Sequence, residues 1–198
     1  MKNLTKNEKK LILIDVAIDQ FHKNGMSKTT IVSITKEANI GKSTFYEYFK
    51  SKEDVINQWF MMFIESLEGL QEDLNKIKTN KQKIIFLVTI ALGDEYTNER
   101  FISMFIEFWR LAFSQKDEES IRLIKEFYLS FSNQLQEYLN DGIKTNEFKA
   151  CDTQKVASTI MAQIDGLWLQ YMLYKDQYDL FEYAKYSIDT LLKGIEYE

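Results

Sequence analysis

An all-α fold is predicted for these 198 residues, and three features predict it. Proline is absent and glycine appears only 7 times, so the residues that punctuate turn-rich β proteins are scarce. Apolar side chains recur at three- and four-residue spacing along most of the chain, the period of a helix buried on one side. The breaks between these runs are short and polar, and they place Thr, Asn or Asp where helices would begin. With 45% hydrophobic residues the chain has ample material for a packed core.

Leu11, Ile14, Ile18 and Phe21 define a first helix over about residues 7–24, and Asn24-Gly25 supplies the positive-φ residue that closes it. A short second helix follows an N-cap at Thr29 or Thr30 and turns Ile31, Ile34 and Ala38 inward. Asn39 tolerates positive φ, so Ala38-Asn39-Ile40-Gly41 reads as a tight turn before a third helix over about Lys42–Phe49. Ser51-Lys52-Glu53-Asp54 has the form of a capping box and opens a fourth helix to about Lys76. Further helices are expected over about 81–93, 98–115, 117–142, 153–175 and 178–196, which makes about nine. Their expected N-caps are Thr97 or Asn98, Asp117, and Asp152 or Thr153, with Gly142 as a C-cap. The run Ile84-Ile85-Phe86-Leu87-Val88 suits a buried strand as well as a helix; with no partner strand evident it is read as helical.

The net charge of −5 argues against a nucleic-acid partner until its distribution is examined. Residues 1–53 hold 10 Lys against 6 acidic residues, a balance of +4, whereas the rest holds 15 Lys and Arg against 24, a balance of −9. Only the front of the chain is suited to phosphate, so two domains are expected, 1–50 able to face DNA and 51–198 not, joined through the fourth helix. The single Cys151 and single His22 leave no disulfide and no zinc cluster, so neither metal nor cofactor is expected, and Cys151 reads as an inert thiol. No paired carboxylates share an apolar face and no glycine-rich phosphate loop appears, which argues against an enzyme. Asp15 and Asp19 interrupt the first apolar run, so no secretory leader is expected. Ile84–Leu92 is too short for a bilayer, and a cytoplasmic protein is expected.

Two short helices joined by a tight turn inside a basic three-helix unit describe a helix-turn-helix, whose second helix enters the major groove. At about 100° per residue, Phe45 and Phe49 share the inner side of the third helix. Ser43 and Glu47 lie on the outer side, flanked by Thr44 and Tyr48 on one edge and Lys42 and Tyr46 on the other. Hydroxyls and a lysine on the flanks suit phosphates, and short central side chains suit base edges. Glu47 departs from this pattern, since phosphate repels it; it either accepts from a cytosine amino group or faces solvent or a lysine of its own chain.

Thr29-Thr30-Ile31 and the unbroken stretch from Ala38 to Glu53 resemble the signature of the tetracycline-repressor (TetR) family of transcriptional regulators, over about residues 8–56. The resemblance implies a dimeric all-helical regulator with double-stranded operator DNA as partner. It further implies that Tyr46, Lys52 and the hydroxyl of Thr29 or Thr30 grip phosphates, and that Lys42, Ser43, Thr44 and Tyr48 meet bases or backbone. Asn39 stands where the family often has glycine and Thr35 where it often has alanine.

The remainder of the chain is rich in aromatic residues and methionine, which line adaptable apolar ligand sites between helices. Candidates are Trp59, Phe63, Met104, Phe105, Phe108, Trp109, Phe127, Phe131, Trp168 and Met172. In the family the last two helices pair across a two-fold axis, which implies an interface around Gln163, Gly166, Leu167, Gln170, Tyr174, Ala184, Ile188 and Leu191. Gly142-Ile143 and Asp165-Gly166-Leu167-Trp168 are similar to the betaine- and fatty-acid-responsive subgroup, and so rank apolar or amphipathic, fatty-acyl-like effectors first. The expected function is a repressor released from a palindromic operator by such an effector. The alternative from another class is a helical ligand carrier or partner-binding protein that has lost DNA binding.

Overall fold

The structure, a computed structural model, describes residues 4–69, 71–90, 92, 97–114, 117–174, 177 and 179–197. Among these the regular elements are all helices: α1 (Lys6–Asn24), α2 (Ile31–Glu37), α3 (Lys42–Tyr48), α4 (Lys52–Glu68), α5 (Gln71–Lys76), α6 (Asn80–Ile90), α7 (Glu99–Phe113), α8 (Glu118–Lys144), α9 (Thr153–Leu173) and α10 (Leu180–Lys193). The apolar run of α6 is therefore helical. The fourth expected helix is two, because α4 ends before Gly69 and α5 begins at Gln71.

The caps account for most of the boundaries. Thr30, Asn98, Asp152 and Asp179 each accept a hydrogen bond from a backbone N–H of the first turn that follows, satisfying donors that the helix itself leaves open. Asp117 does the same for Ser120 at 3.0 Å. Gly25 closes α1 with φ of 79°, and Asn39 turns the chain between α2 and α3 with φ of 51°. Gly142 is not a C-cap. It lies inside α8, which runs on to Lys144, and the turn that ends the segment has Asn146 at φ of 57°.

The chain divides into two compact units. The first comprises residues 1–64 and 98–124, the second 65–97 and 125–198. Compactness thus groups α7 with α1 to α4, a division different from the functional one drawn near residue 50 on charge.

In the first unit, Leu13, Ile14, Ala17, Ile18 and Phe21 of α1 pack with Ile34 of α2, Phe45 of α3, Phe49, and Val55, Ile56 and Phe60 of α4. Leu11 lies outside this face and is exposed. Three polar contacts fasten α7 to the α1 side. Arg100 donates to the backbone oxygen of Asp15 at 2.6 Å and pairs with its carboxylate, Arg110 reaches the Met26 sulfur at 3.5 Å, and His22 Nδ1 lies 2.8 Å from Ser103 Oγ. Ser103 spends its own proton on the Glu99 carbonyl, so the imidazole Nδ1 is the donor in that last pair.

The second unit has its own core. Ile84 and Val88 of α6, Leu135 and Leu139 of α8, Ala157 and Ile160 of α9, and Ala184, Ile188 and Leu192 of α10 are buried together around Phe148. Lys81 holds the end of α10 by pairing with Asp189 at 2.7 Å and Glu196 at 2.9 Å. Among the described residues no helix is long and apolar enough to cross a membrane.

Candidate nucleic-acid interface

A helix of seven residues such as α3 has little stability of its own and depends on its packing. Phe45 supplies that anchor: it is fully buried, and its ring lies 5.2 Å from that of Phe49, which is buried as well. From the other end, Gln58 of α4 donates to the Tyr48 carbonyl at 3.0 Å, satisfying an acceptor at the end of α3. The outer side is left to solvent. Lys42, Ser43, Tyr46 and Glu47 are exposed, and Thr44 and Tyr48, which share one edge, are half-buried. The Tyr46 ring stands nearly perpendicular to that of Phe45 with centroids 5.6 Å apart, and the Lys42 ammonium lies 6.0 Å from its centroid.

The two threonines before α2 divide their work. Thr30 is exposed and caps α2 by accepting from Ser33 N at 3.0 Å. Thr29 is 2% exposed, and its hydroxyl lies within reach of the Gln20 and Gly25 carbonyls at 3.2 and 3.0 Å. Its expected phosphate contact is therefore withdrawn: the hydroxyl is turned into the unit and committed to backbone. Lys52 likewise has a partner inside the chain, donating to the carbonyls of Met26 and Thr29 at 2.7 Å each. That leaves one of its three ammonium donors for phosphate.

Gln20 was not anticipated from sequence. It is a buried glutamine on the core side of α1, where its amide donates to the Glu37 carboxylate and its carbonyl meets Ser33 Oγ at 2.6 Å. Each bond holds one end of α2 against α1. The signal was present: with Leu13 and Ala17, Gln20 continues a row at helical spacing along the buried side, and a polar residue in such a row needs partners.

Residues 13–58 match the family described as "Bacterial regulatory proteins, tetR family", and residues 83–193 match the "BetI-type transcriptional repressor, C-terminal" family. The chain belongs to the TetR family. It is a DNA-binding transcriptional regulator. Among TetR-family relatives, it is 26% identical to the fatty acid metabolism regulator protein of Bacillus subtilis over 196 residues, covering 96% of this chain and 97% of that one. Its fold resembles that of the transcriptional regulator FadR from Bacillus subtilis in complex with stearoyl-CoA, at a TM-score of 0.75 and 24% identity, over 94% of this chain and 99% of that one. It also resembles a regulator from Saccharomonospora viridis in complex with choline, at a TM-score of 0.81 and 18% identity, over 97% and 100% of the two chains.

The aromatic candidates of this TetR-family chain fall in both units. In the first, Phe108 stacks on Phe60 with centroids 3.7 Å apart, and both it and Met104 are fully buried. Trp59 and Phe63 meet Phe101 at 5.1 and 5.2 Å, and Phe105 meets Trp109 at 6.1 Å. In the second, Phe127 and Phe131 stack at 6.1 Å, while Trp168 lies edge-on to Tyr171 and Met172 is half-buried. Also in the second unit, Tyr128 donates to Asp165 at 2.7 Å. Burial pushes the Asp165 carboxyl above its usual range despite that bond, and burial together with the carboxylate pushes the Tyr128 phenol up. Among the described residues no group of three His, Cys, Asp or Glu is gathered as a metal site.

The residues expected at a dimer interface sort into two kinds. Ala184 and Ile188 are completely buried in the core of the second unit, Leu167 and Leu191 pack against it, and Gln163 bonds Ser187 at 2.9 Å. These face inward, because α9 and α10 each carry two apolar sides and periodicity alone does not say which is internal. Gln170 and Tyr174 remain exposed, and a Cβ on Gly166 would meet nothing within 4 Å. The larger apolar side chains left in solvent on these helices are Leu169, Leu173, Phe181, Tyr183 and Tyr186.

Proposed function

We propose that this regulator is a homodimeric repressor that grips a palindromic operator with two copies of α3 and releases it when a long-chain acyl effector binds. The observation that carries the reading is the outward side of α3, where Lys42, Ser43 and Tyr46 are exposed while Phe45 is buried behind them. In a two-fold dimer the two copies would reach successive major grooves about 34 Å apart. Lys42, Tyr46 and Thr30 are proposed to hold phosphates, with Lys52 in a supporting place, and Ser43, Thr44 and Tyr48 to meet bases or adjacent backbone. DNA-binding work by residues 1–50 and effector and dimer work by 51–198 would place the protein in the cytoplasm, beside the chromosome.

The dimer is proposed to form through the solvent-facing apolar side chains of α9 and α10, Leu169, Leu173, Tyr174, Phe181 and Tyr186, around the open position at Gly166. The effector class follows the relative named for fatty acid metabolism and the stearoyl-CoA seen with the FadR fold, and it accords with the aromatic surroundings. Two separate sets of proposed effector contacts are Trp59, Phe63, Phe105 and Trp109 within the first unit, and Phe127, Phe131, Trp168 and Met172 within the second. Release requires only that the effector bind one conformation more tightly by a few kcal/mol.

The test is a gel shift of full-length protein on fragments of its own genome at low salt, with and without stearoyl-CoA, with choline in parallel. Protection of a palindrome that stearoyl-CoA abolishes and choline leaves intact is the expected result. A protein that shifts no fragment is not an operator-binding repressor, and release by choline alone would replace the acyl effector with a quaternary ammonium one.

A further inference from the structure

Glu47 stands on the midline of the outward side of α3 with its carboxylate unpartnered. It is exposed, and among the described residues neither a hydrogen bond nor an ion pair reaches that carboxylate. Lys42, on the same short helix, is aimed at the Tyr46 ring instead. At about 100° per residue, Glu47 lies nearly opposite the buried Phe45, in line with Ser43 one turn earlier. Lys42 and Tyr46 fall to one side of that line, and Thr44 and Tyr48 to the other.

In a major groove the two flanks of such a helix meet the phosphate walls and its midline meets the base edges. A carboxylate on the midline is repelled by both strands and by every acceptor on the groove floor, so its presence costs affinity wherever it finds no donor. The floor offers two amino groups. Adenine N6 has the acceptor N7 beside it, guanine and thymine present oxygen acceptors, and cytosine N4 has no acceptor next to it on its own base.

We infer that Glu47 reads a cytosine in each half-site, its carboxylate accepting a hydrogen bond from the N4 amino group, and that this contact sets specificity at that base pair. The inference rests on the operator-binding reading of α3 given above. The carboxylate then acts chiefly as a filter: it weakens binding to every sequence that lacks the amine at that position.

The experiment is in vitro selection from random-sequence duplexes with the full-length wild type, Glu47→Ala and Glu47→Gln, followed by affinities on the selected site. The cytosine is then replaced by thymine, or by a 2-pyrimidinone nucleotide that lacks the amine. The wild type is expected to select an invariant C·G pair at two symmetric positions. Removing the amine should weaken it roughly 10- to 100-fold while moving Glu47→Ala by no more than about 2-fold. Glu47→Gln should shift the preference toward adenine, which offers the donor and acceptor that an amide matches. The inference is overturned if Glu47→Ala selects the same sequence at every position, or if loss of the amine weakens both proteins equally. A wild type that selects no sequence at all overturns the operator-binding reading itself, an outcome distinct from the loss of this one contact.

Discussion

Lys52 Nζ donates to the carbonyl oxygen of Thr29 at 2.7 Å, which ties the first turn of α4 to the residue preceding the α2 cap. A second bond of the same length runs to Met26, so one ammonium closes the loop between α1 and α2. This is a positioning role, and it separates from phosphate contact by experiment. Lys52→Met is expected to cost about 1.5 kcal/mol, the lower end for hydrogen bonds to a charged group because the site is partly solvated, and to lower Tm by about 3–6 °C. DNA affinity should fall at all sequences while the slope of log K against log salt changes by less than one phosphate's worth. A slope shallower by about 0.9 with unchanged Tm would make Lys52 a phosphate ligand instead.

Lys42 and Tyr46 are expected to give opposite signatures in the same titration. Lys42 is exposed and, among the described residues, has no carboxylate partner, its ammonium facing the Tyr46 ring at 6.0 Å, so Lys42→Ala should flatten the salt slope by about 0.9. Tyr46→Phe removes a neutral hydroxyl from an exposed side chain of α3; affinity should fall about 3- to 10-fold on every duplex with the slope preserved. Equal affinity of Tyr46→Phe and wild type would strike that hydroxyl from the interface.

How far the sequence carried depends on whether one residue type has one physical use. Asn39 and Gly25 were legible because a tight turn needs positive φ and few residues supply it; both adopt it. Thr29 and Thr30 were not separable, since two adjacent hydroxyls suit an N-cap equally and only packing decides that Thr29 turns inward. Gly142 was misread because a glycine offers two distinct things, a free φ and a missing Cβ, and here the second is used. Gly69 was passed over, since a lone glycine in a helical pattern marks a break only some of the time. Ala184 and Ile188 show the limit of periodicity on a helix with two apolar sides: the pattern finds both without saying which one the chain buries in its own core.

Tyr186 is 74% exposed and Leu173 67% exposed, and with Leu169, Phe181 and Tyr183 they are among the large apolar side chains that α9 and α10 leave in solvent, more than the scattered single residues of an ordinary surface. A Leu173→Asp, Tyr186→Asp pair is expected to convert a dimer to monomers in sedimentation equilibrium with helix content unchanged, since neither side chain belongs to the subunit's core. Operator affinity should fall at least 100-fold with it, because a monomer keeps one half-site. A variant that remains dimeric would move the interface to another surface.

Asp117 carries a pH dependence whose direction is set by its surroundings. Burial alone would raise its carboxyl, but hydrogen bonds from Asn57, at 2.8 Å, and from the Ser120 side chain and N–H override that and hold it below the usual carboxylate range. A lowered folded-state value means that its contribution is fully present above the unfolded value of about 3.9 and is lost as pH falls through the folded one. Asp117→Ala should therefore cost about 1 kcal/mol or more at neutral pH, since it strips the α8 cap and leaves the Asn57 amide and the Ser120 N–H without the acceptor they share, while the Ser120 hydroxyl keeps Asn57 Oδ1. In urea titrations the gap between wild type and variant should close in strong acid; a gap that persists there would mean the loss is one of packing, not of charge.

Gly142 is the sharpest test of a residue whose use is its size. A Cβ built on it would stand 2.2 Å from Phe148 Cδ2 and 2.5 Å from Cε2, both parts of a rigid ring that is itself fully buried in the second unit's core. The ring cannot retreat as the tip of a flexible chain would, because Gly142 O also accepts from the N–H groups of Glu147 and Phe148, at 2.8 and 3.1 Å, and so holds the backbone close. An exposed helical Gly→Ala change ordinarily stabilises by about 0.5–1 kcal/mol; here overpacking of about 1–3 kcal/mol or more should outweigh it, so Gly142→Ala is expected to be net destabilising. Adding Phe148→Leu should recover part of the loss, since a smaller, jointed side chain can make room. Because the two residues touch, their effects should not add, and a double variant equal to the sum of the singles in urea denaturation would mean that the ring and the glycine do not meet.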